Sequence, residues 1–228
     1  DLHASLAPSE MCIRDRGKQT MYPNESSLLE QTRAAVETIR AHRSDGRVTS
    51  LVIGALGRCG RGAIDCLEKS GFKADEIVRW DIQETSAKSG PYQEIANSDL
   101  FINCIYLSKK IPPFINRDLL AAAGSQRRLG MIVDVSCDTT NPNNPIPVYS
   151  VNTTFEKPTV RVDGVDNLEV ISIDHLPTLL PRESSEAFSH DLLPSLLQLP
   201  LIQGDDGPDA LAQDHACLLY TSLMARGR

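Results

Sequence analysis

Three glycines, Gly54, Gly57 and Gly60, stand at even spacing in GALGRCG, directly after the β-branched run VTSLVI at 48–53. A dinucleotide's pyrophosphate needs backbone N–H groups at close range and the positive end of a helix dipole, and side chains would block that approach. The spacing GxxGxxG departs from the commoner GxGxxG and is a weak signal by itself. Context strengthens it: a strand precedes the loop, a helix over about 61–69 follows, and an acid stands at the right distance. That acid is Asp81, 21 residues beyond Gly60, at the end of a second strand read over Ile77 to Ile82. A carboxylate there accepts hydrogen bonds from the adenosine ribose hydroxyls and repels a 2′-phosphate. Ile82, Gln83 and Glu84 follow with no Arg or Lys, so this chemistry selects NAD over NADP. The competing reading is a glycine turn and a surface Asp with no ligand.

Positioning such groups requires a sheet, and the chain supplies one. Further strands are read over Leu100 to Ile105 (LFINCI), Met131 to Val135 (MIVDV), Val160 to Val162 and Leu168 to Ile173. A helix is expected near Asn116 to Ala123, and another, interrupted by Pro181 and Pro194, over Leu179 to Leu197. An earlier helix runs from Asn24, its cap, to His42, with Leu28, Ala35 and Ile39 on one stripe. Strands alternating with helices imply right-handed crossovers and an α/β fold, a Rossmann-like, doubly wound, mostly parallel sheet with helices on both faces. Ligands bind such sheets outside the carboxyl ends of the strands. Tyr106, Val135-Ser136 and Asp174-His175 fall at such ends.

Composition bounds the function. The 228 residues are 41% hydrophobic and 23% charged, ordinary values for a soluble globular protein with a core. A formal charge of −7 argues against nucleic-acid binding, which relies on clustered Lys and Arg. No run of 18 apolar residues suggests a membrane span, and the N-terminus has no apolar signal region. The six cysteines show no metal-ligand spacing, so reduced cytoplasmic thiols and no metal are expected. MCIRDR at 11–16 and CLLYTS at 217–222 resemble translated sequencing adapter. The expected layout is therefore a non-native, disordered 1–16, a dinucleotide-binding domain over 17–182, a helix over 183–200, and a disordered tail over 201–228.

Some features mislead. Tyr106 and Lys110 have the YxxxK spacing of short-chain dehydrogenases, but Pro112 and Pro113 end any helix there. His175 and His190 invite a general-base role, yet neither has an evident partner. Asn24-Glu25-Ser26 and Asn152-Thr153-Thr154 match a glycosylation pattern that means nothing in the cytoplasm.

Longer strings carry a resemblance. GALGRCGRGAID at 54–65, WDIQET at 80–85, FINCIYLSKKIPPF at 101–114, VDVSCDTTNPNNPIPVYSV at 133–151 and ISIDHLPTLLPRESSEAFSHDLLPSL at 171–196 resemble the NAD-dependent, lysine-forming saccharopine dehydrogenases of fungi. The resemblance covers about Tyr22 to Pro200 and implies an oxidoreductase that cleaves saccharopine to lysine and 2-oxoglutarate in lysine biosynthesis. It implies pyrophosphate contacts at Gly57 and Arg58, ribose contacts at Asp81 and Thr85, and a cofactor contact at Tyr106. It further implies a cofactor contact at Val135, saccharopine-facing positions at Ser136, Cys137 and Asp138, and Ile173, Asp174, His175 and Leu176 beside the nicotinamide. Where this chain has Cys137 the family usually has a small residue. The family's catalytic lysine and histidine belong to an N-terminal domain that this chain is expected to lack, so the chain alone should be inactive. There the segment after about Glu183 returns to the first domain, so Leu192, Leu193, Leu196 and Leu197 would be exposed here. The parent is expected to be a monomer. A non-catalytic NAD-binding or sensory module is the alternative. Adjacent first and third strands would also bring Cys59 and Cys104 near disulfide distance, with two reduced thiols as the other state.

Overall fold

A computed structural model of the chain describes residues 18–137 and 139–197. The ends read as non-native or disordered, and Asp138, lie outside the described residues.

Helix α1 (Glu25–His42) begins where Asn24 Oδ1 accepts the Ser27 N–H at 2.9 Å, the cap expected of that residue. It buries Leu29 and Val36, seven residues apart, Val36 against the sheet. The expected stripe is therefore displaced by one position, with Leu28, Ala35 and Ile39 half-buried at its margin. Arg40 extends from the same helix to the buried Glu76 carboxylate at 2.7 Å, tying α1 to the entrance of the second strand.

The sheet holds β1 (Ser50–Ile53), β2 (Ile77–Trp80), β3 (Leu100–Asn103), β4 (Met131–Asp134), β5 (Val160–Arg161) and β6 (Glu169–Ile171). Their order is β2-β1-β3-β4-β6-β5, parallel throughout except for β5, which pairs antiparallel with β6. The chain leaves β1 for β2 on one side and returns past it to β3 on the other. That reversal makes the carboxyl ends of β1 and β3 the switch point where a doubly wound sheet opens a crevice.

Strand alternation divides the core. Leu51, Ile53, Phe101, Ile132 and Val170 point to one face, where they meet Ile95 and Leu120. Val52 and Ile102 point to the other, against Val36, Leu67 and Phe72. Four helices, α1, α2 (Arg58–Lys69), α4 (Gln93–Ala96) and α5 (Arg117–Ala123), supply these partners, apart from Phe72 in the loop after α2. Both faces are thus covered, as the alternation of elements implied. Asn116 caps α5 by accepting the Leu119 N–H at 2.9 Å.

Several boundaries differ from expectation, every strand being shorter than read. The second strand stops at Trp80 instead of Ile82, because Asp81 caps a short helix, α3 (Ile82–Ala87), that was not foreseen. The last helix, α6 (Pro181–Leu196), is not broken at either proline. Pro181 occupies its first turn, where a missing N–H costs nothing, and Pro194 lies too near the end to stop it. Leu193, Leu196 and Leu197 are exposed as anticipated, with Phe188 beside them, while Leu192 is half-buried.

Ile132 is completely buried at the centre of the sheet, so Ile132→Ala should cost about 2–5 kcal/mol of unfolding free energy. Leu193→Ala, on the exposed face of α6, should change it by less than about 0.5 kcal/mol. Denaturant titration of the two variants checks both.

Candidate dinucleotide-binding site

β1 runs directly into the glycine loop. Gly54 has φ of +88°, a left-handed conformation that glycine adopts without strain. Its N–H and that of Ala55 donate to the Trp80 carbonyl at 2.9 and 3.0 Å, stitching the loop to the end of β2. A Cβ on Gly54 would lie 2.9 Å from Ile105 Cγ1 and 3.1 Å from the Cys104 carbonyl oxygen, so the exit of β3 passes directly behind it. Gly57 caps α2 without any side-chain bond to the first turn. The helix begins at Arg58, earlier than the sequence suggested, which places Gly60 inside its first turn. There a Cβ would stand 2.0 Å from the Gly54 carbonyl oxygen. The third glycine therefore serves close approach of helix to strand, and the positive end of the α2 dipole lies at the mouth of the crevice.

Asp81 stands directly against this loop. Its Oδ2 accepts the Leu56 N–H and its Oδ1 the Ile82 N–H, each at 2.9 Å. Glu84 accepts the Asp81 N–H at 2.8 Å, and Thr85 Oγ1 donates to the Asp81 carbonyl at 2.8 Å. One backbone bond per oxygen leaves lone pairs on both, enough for the paired hydroxyls of a ribose. Leu56 and Ile82, the two residues whose amides hold the carboxylate, are 74% and 71% exposed. Neither was singled out from the sequence, although apolar residues flanking the acid were a visible signal.

At the carboxyl ends of β3, β4 and β6 lies a second polar group of residues. Asp134 accepts hydrogen bonds from Asn103 Nδ2 at 3.0 Å, Ser136 Oγ at 2.6 Å and Tyr149 Oη at 2.6 Å. Tyr149 Oη is also 3.0 Å from Ser172 Oγ, and Asn152 Nδ2 donates to the Cys137 carbonyl at 3.2 Å. Burial and then the adjacent Asp134 push the Tyr149 phenol far up. Cys137 sits at φ of +50°, and burial raises its thiol. Only Ser136 and Cys137 of this group were anticipated; nothing local marks Asn103, Tyr149 or Ser172.

The remaining positions are gathered less tightly. Val135 is half-buried, its N–H bonded to the Asn103 carbonyl at 2.9 Å. Ile173 is buried and bridges to Thr153, with Leu176 half-buried just beyond it. Arg58, Tyr106, Asp174 and His175 are exposed around the crevice. Asp174 and His175 are 3.5 Å apart at the surface, where such a pair contributes little. Tyr106 and Lys110 lie in non-helical chain, and His190 is exposed on α6 beside Asp191, away from this group. Cys59 and Cys104 are both free thiols. Burial, then the nearby Cys59, pushes the Cys104 thiol up to about 12.

A cavity of about 1130 Å³ lies elsewhere, at the amino ends of β4 and β6. Its Arg128 is paired with Asp45 and Asp99, and Arg117 and Arg127 are bonded to backbone carbonyls. The glycine loop and its acid define the site instead. Among the described residues no cluster of His, Cys, Asp and Glu could hold a metal ion, and no helix is long and apolar enough to cross a membrane.

No family model matches the chain. It is 58% identical over 193 residues to the saccharopine dehydrogenase (NAD(+), L-lysine-forming) of Yarrowia lipolytica, covering 82% of this chain and 50% of that protein. The enzymes so named from Candida albicans and Schizosaccharomyces pombe are 56% and 57% identical, over 79% and 78% of this chain and 47% and 48% of their own. Most of this chain is thus similar to saccharopine dehydrogenases so named. The chain spans about half the length of the curated relatives it matches.

The loop's packing gives a contrast in sign. Gly60→Ala must push the helix away from Gly54 and should lower the melting temperature. Gly62→Ala, with nothing within 4 Å of the new Cβ, should raise it by removing backbone freedom worth about 1 kcal/mol. Thermal melts of the two variants decide. At pH 8 the raised thiol of Cys104 should resist alkylation by iodoacetamide while exposed Cys59 reacts, as peptide mass mapping would show.

Proposed function

We propose that this chain forms the cofactor-binding part of an NAD-dependent saccharopine dehydrogenase. The observation that carries the reading is Asp81, a half-exposed carboxylate locked onto the glycine loop with free lone pairs on both oxygens. Residues 17–182 are the dinucleotide domain. The pyrophosphate lies against the loop at Gly57 and Arg58, at the start of α2, with Gly54 and Gly60 clearing the space. Asp81 and Thr85 hold the adenosine ribose, and Leu56 and Ile82 offer apolar surface to the purine. Tyr106, Val135, Ile173, Asp174, His175 and Leu176 surround the nicotinamide end, and Ser136, Cys137 and Asp138 face saccharopine.

Bound in this way, NAD would supply the hydride acceptor for oxidation of a secondary amine. The chain's own residues orient and enclose that reaction. The chemistry also needs a base for the amine and an acid–base group for hydrolysis of the resulting imine. Among the described residues no His or Lys is buried, and His175 at the crevice pairs with Asp174 only at the exposed surface. The reading assigns both groups to the half of the relatives that this chain does not match. Residues 183–200, with the exposed leucines of α6, dock against that half. The whole enzyme acts as a cytoplasmic monomer without nucleic acid or membrane partners.

Calorimetric titration tests the assignment. NAD should bind and NADP bind far more weakly, because Asp81 repels a 2′-phosphate. Asp81→Ala should weaken NAD roughly tenfold to a hundredfold, the loss of charge-assisted bonds worth about 1.5–3 kcal/mol each. Equal affinity for NAD and NADP in the unaltered chain would overturn the role of Asp81.

A further inference from the structure

The floor of the crevice holds a buried acid that no cation among the described residues neutralises. Asp134 closes β4 with no solvent exposure at all. Its Oδ1 accepts from Asn103 Nδ2 at 3.0 Å, the Ser136 N–H at 3.1 Å and Ser136 Oγ at 2.6 Å. Its Oδ2 accepts from Tyr149 Oη at 2.6 Å. All four donors are neutral, and among the described residues no Lys, Arg or His forms an ion pair with Asp134. Burying a carboxylate is costly, and neutral hydrogen bonds offset that cost without removing the charge. The field reaches its neighbours: burial raises Cys104, Cys137 and Tyr149, and the Asp134 charge adds to the rise in each.

A loop anchor alone would not require this charge. Asparagine has the same shape and could hold Ser136, with none of the cost of a buried anion. The surroundings suggest what the charge is for. Asp134 is the residue before Val135, and Tyr149 connects it to Ser172, the residue before Ile173. Both neighbours stand at the nicotinamide end in the function proposed above, on which this inference rests. The oxidised ring carries a positive charge and the reduced ring carries none.

We propose that Asp134 makes the site selective for redox state, its uncompensated charge favouring the cationic oxidised nicotinamide over the neutral reduced one. Asp134 need not touch the ring to do so, because charge acts through the low-dielectric floor of the crevice. Two opposite unit charges ~8–12 Å apart at an effective dielectric constant of ~20 attract by an amount equal to roughly ten- to thirtyfold in affinity. Once hydride has been accepted the attraction disappears, so the same carboxylate eases release of the reduced form. Asp134 is on this account a specificity-determining residue, and its neutral donors are part of the device. An Arg or Lys in the place of Asn103 or Tyr149 would cancel it.

The test measures the affinities of NAD+, NADH and ADP-ribose for the full chain and for Asp134→Asn by calorimetry, with thermal melts alongside. ADP-ribose, which lacks the nicotinamide, reports the glycine loop and Asp81 alone. The variant should lower the ratio of NAD+ to NADH affinity roughly ten- to thirtyfold while leaving ADP-ribose affinity within about twofold. A purely structural role would weaken NAD+ and NADH together. A folded variant with an unchanged NAD+ to NADH ratio overturns the proposal. Should D134N not fold, D134N/Y149F removes the phenol that the new amide would face and is held to the same ratio. In the unaltered chain, NADH binding tenfold tighter than NAD+ also overturns it. Failure of that chain to bind both NAD+ and ADP-ribose sinks the cofactor reading, and this inference with it.

Discussion

The exit of β1 and the first turn of α2 lie closer together than any side chain would permit. A Cβ at Gly60 would fall 2.0 Å from the carbonyl oxygen of Gly54. That contact determines where the helix starts, and so where its unpaired N–H groups and positive dipole end point. The exit of β3 sets a similar limit behind Gly54. Two strands and a helix thus converge on one short loop with no room for side chains at Gly54 and Gly60. Between them exposed Gly57 presents bare backbone, which is the chemistry that a phosphate pair needs.

Asp81 ties this loop to the end of β2. One residue caps α3, accepts an amide of the glycine loop and leaves lone pairs outward. Because the loop's own amide holds the carboxylate, acid and cradle cannot drift apart. Rigidity of this kind lowers the cost of ordering a ligand. The exposed leucine and isoleucine at either hand follow from the same two hydrogen bonds, since their amides must face the acid.

The two acids of the crevice contrast. Asp81 is half-exposed and keeps lone pairs free, as a group that meets hydroxyls should. Asp134 is enclosed, its oxygens occupied by neutral donors from β3, the loop after β4, and Tyr149. It joins three strand ends and leaves a charge below the surface. The apolar side chains of α6 show a different imbalance, with Phe188, Leu193, Leu196 and Leu197 all open to solvent on one element.

Much of this was legible in the chain itself. The glycine loop, Asp81, the cap at Asn24 and all six strands depend on neighbours within a few residues, and local spacing records such constraints directly. Local pattern was less able to place boundaries: an aspartate that ends a strand and one that caps a helix look alike until α3 is seen. Of the buried polar network only Ser136 was legible. Asn103 and Asp134 are 31 residues apart, and Tyr149 and Ser172 are 23 apart. Each taken singly is an ordinary polar residue near a strand end. Only parallel pairing in register brings β3, β4 and β6 to a common edge, and only there do those side chains meet. Short-range chemistry was written in the sequence, while the charge at the crevice floor was decided by which strands lie side by side.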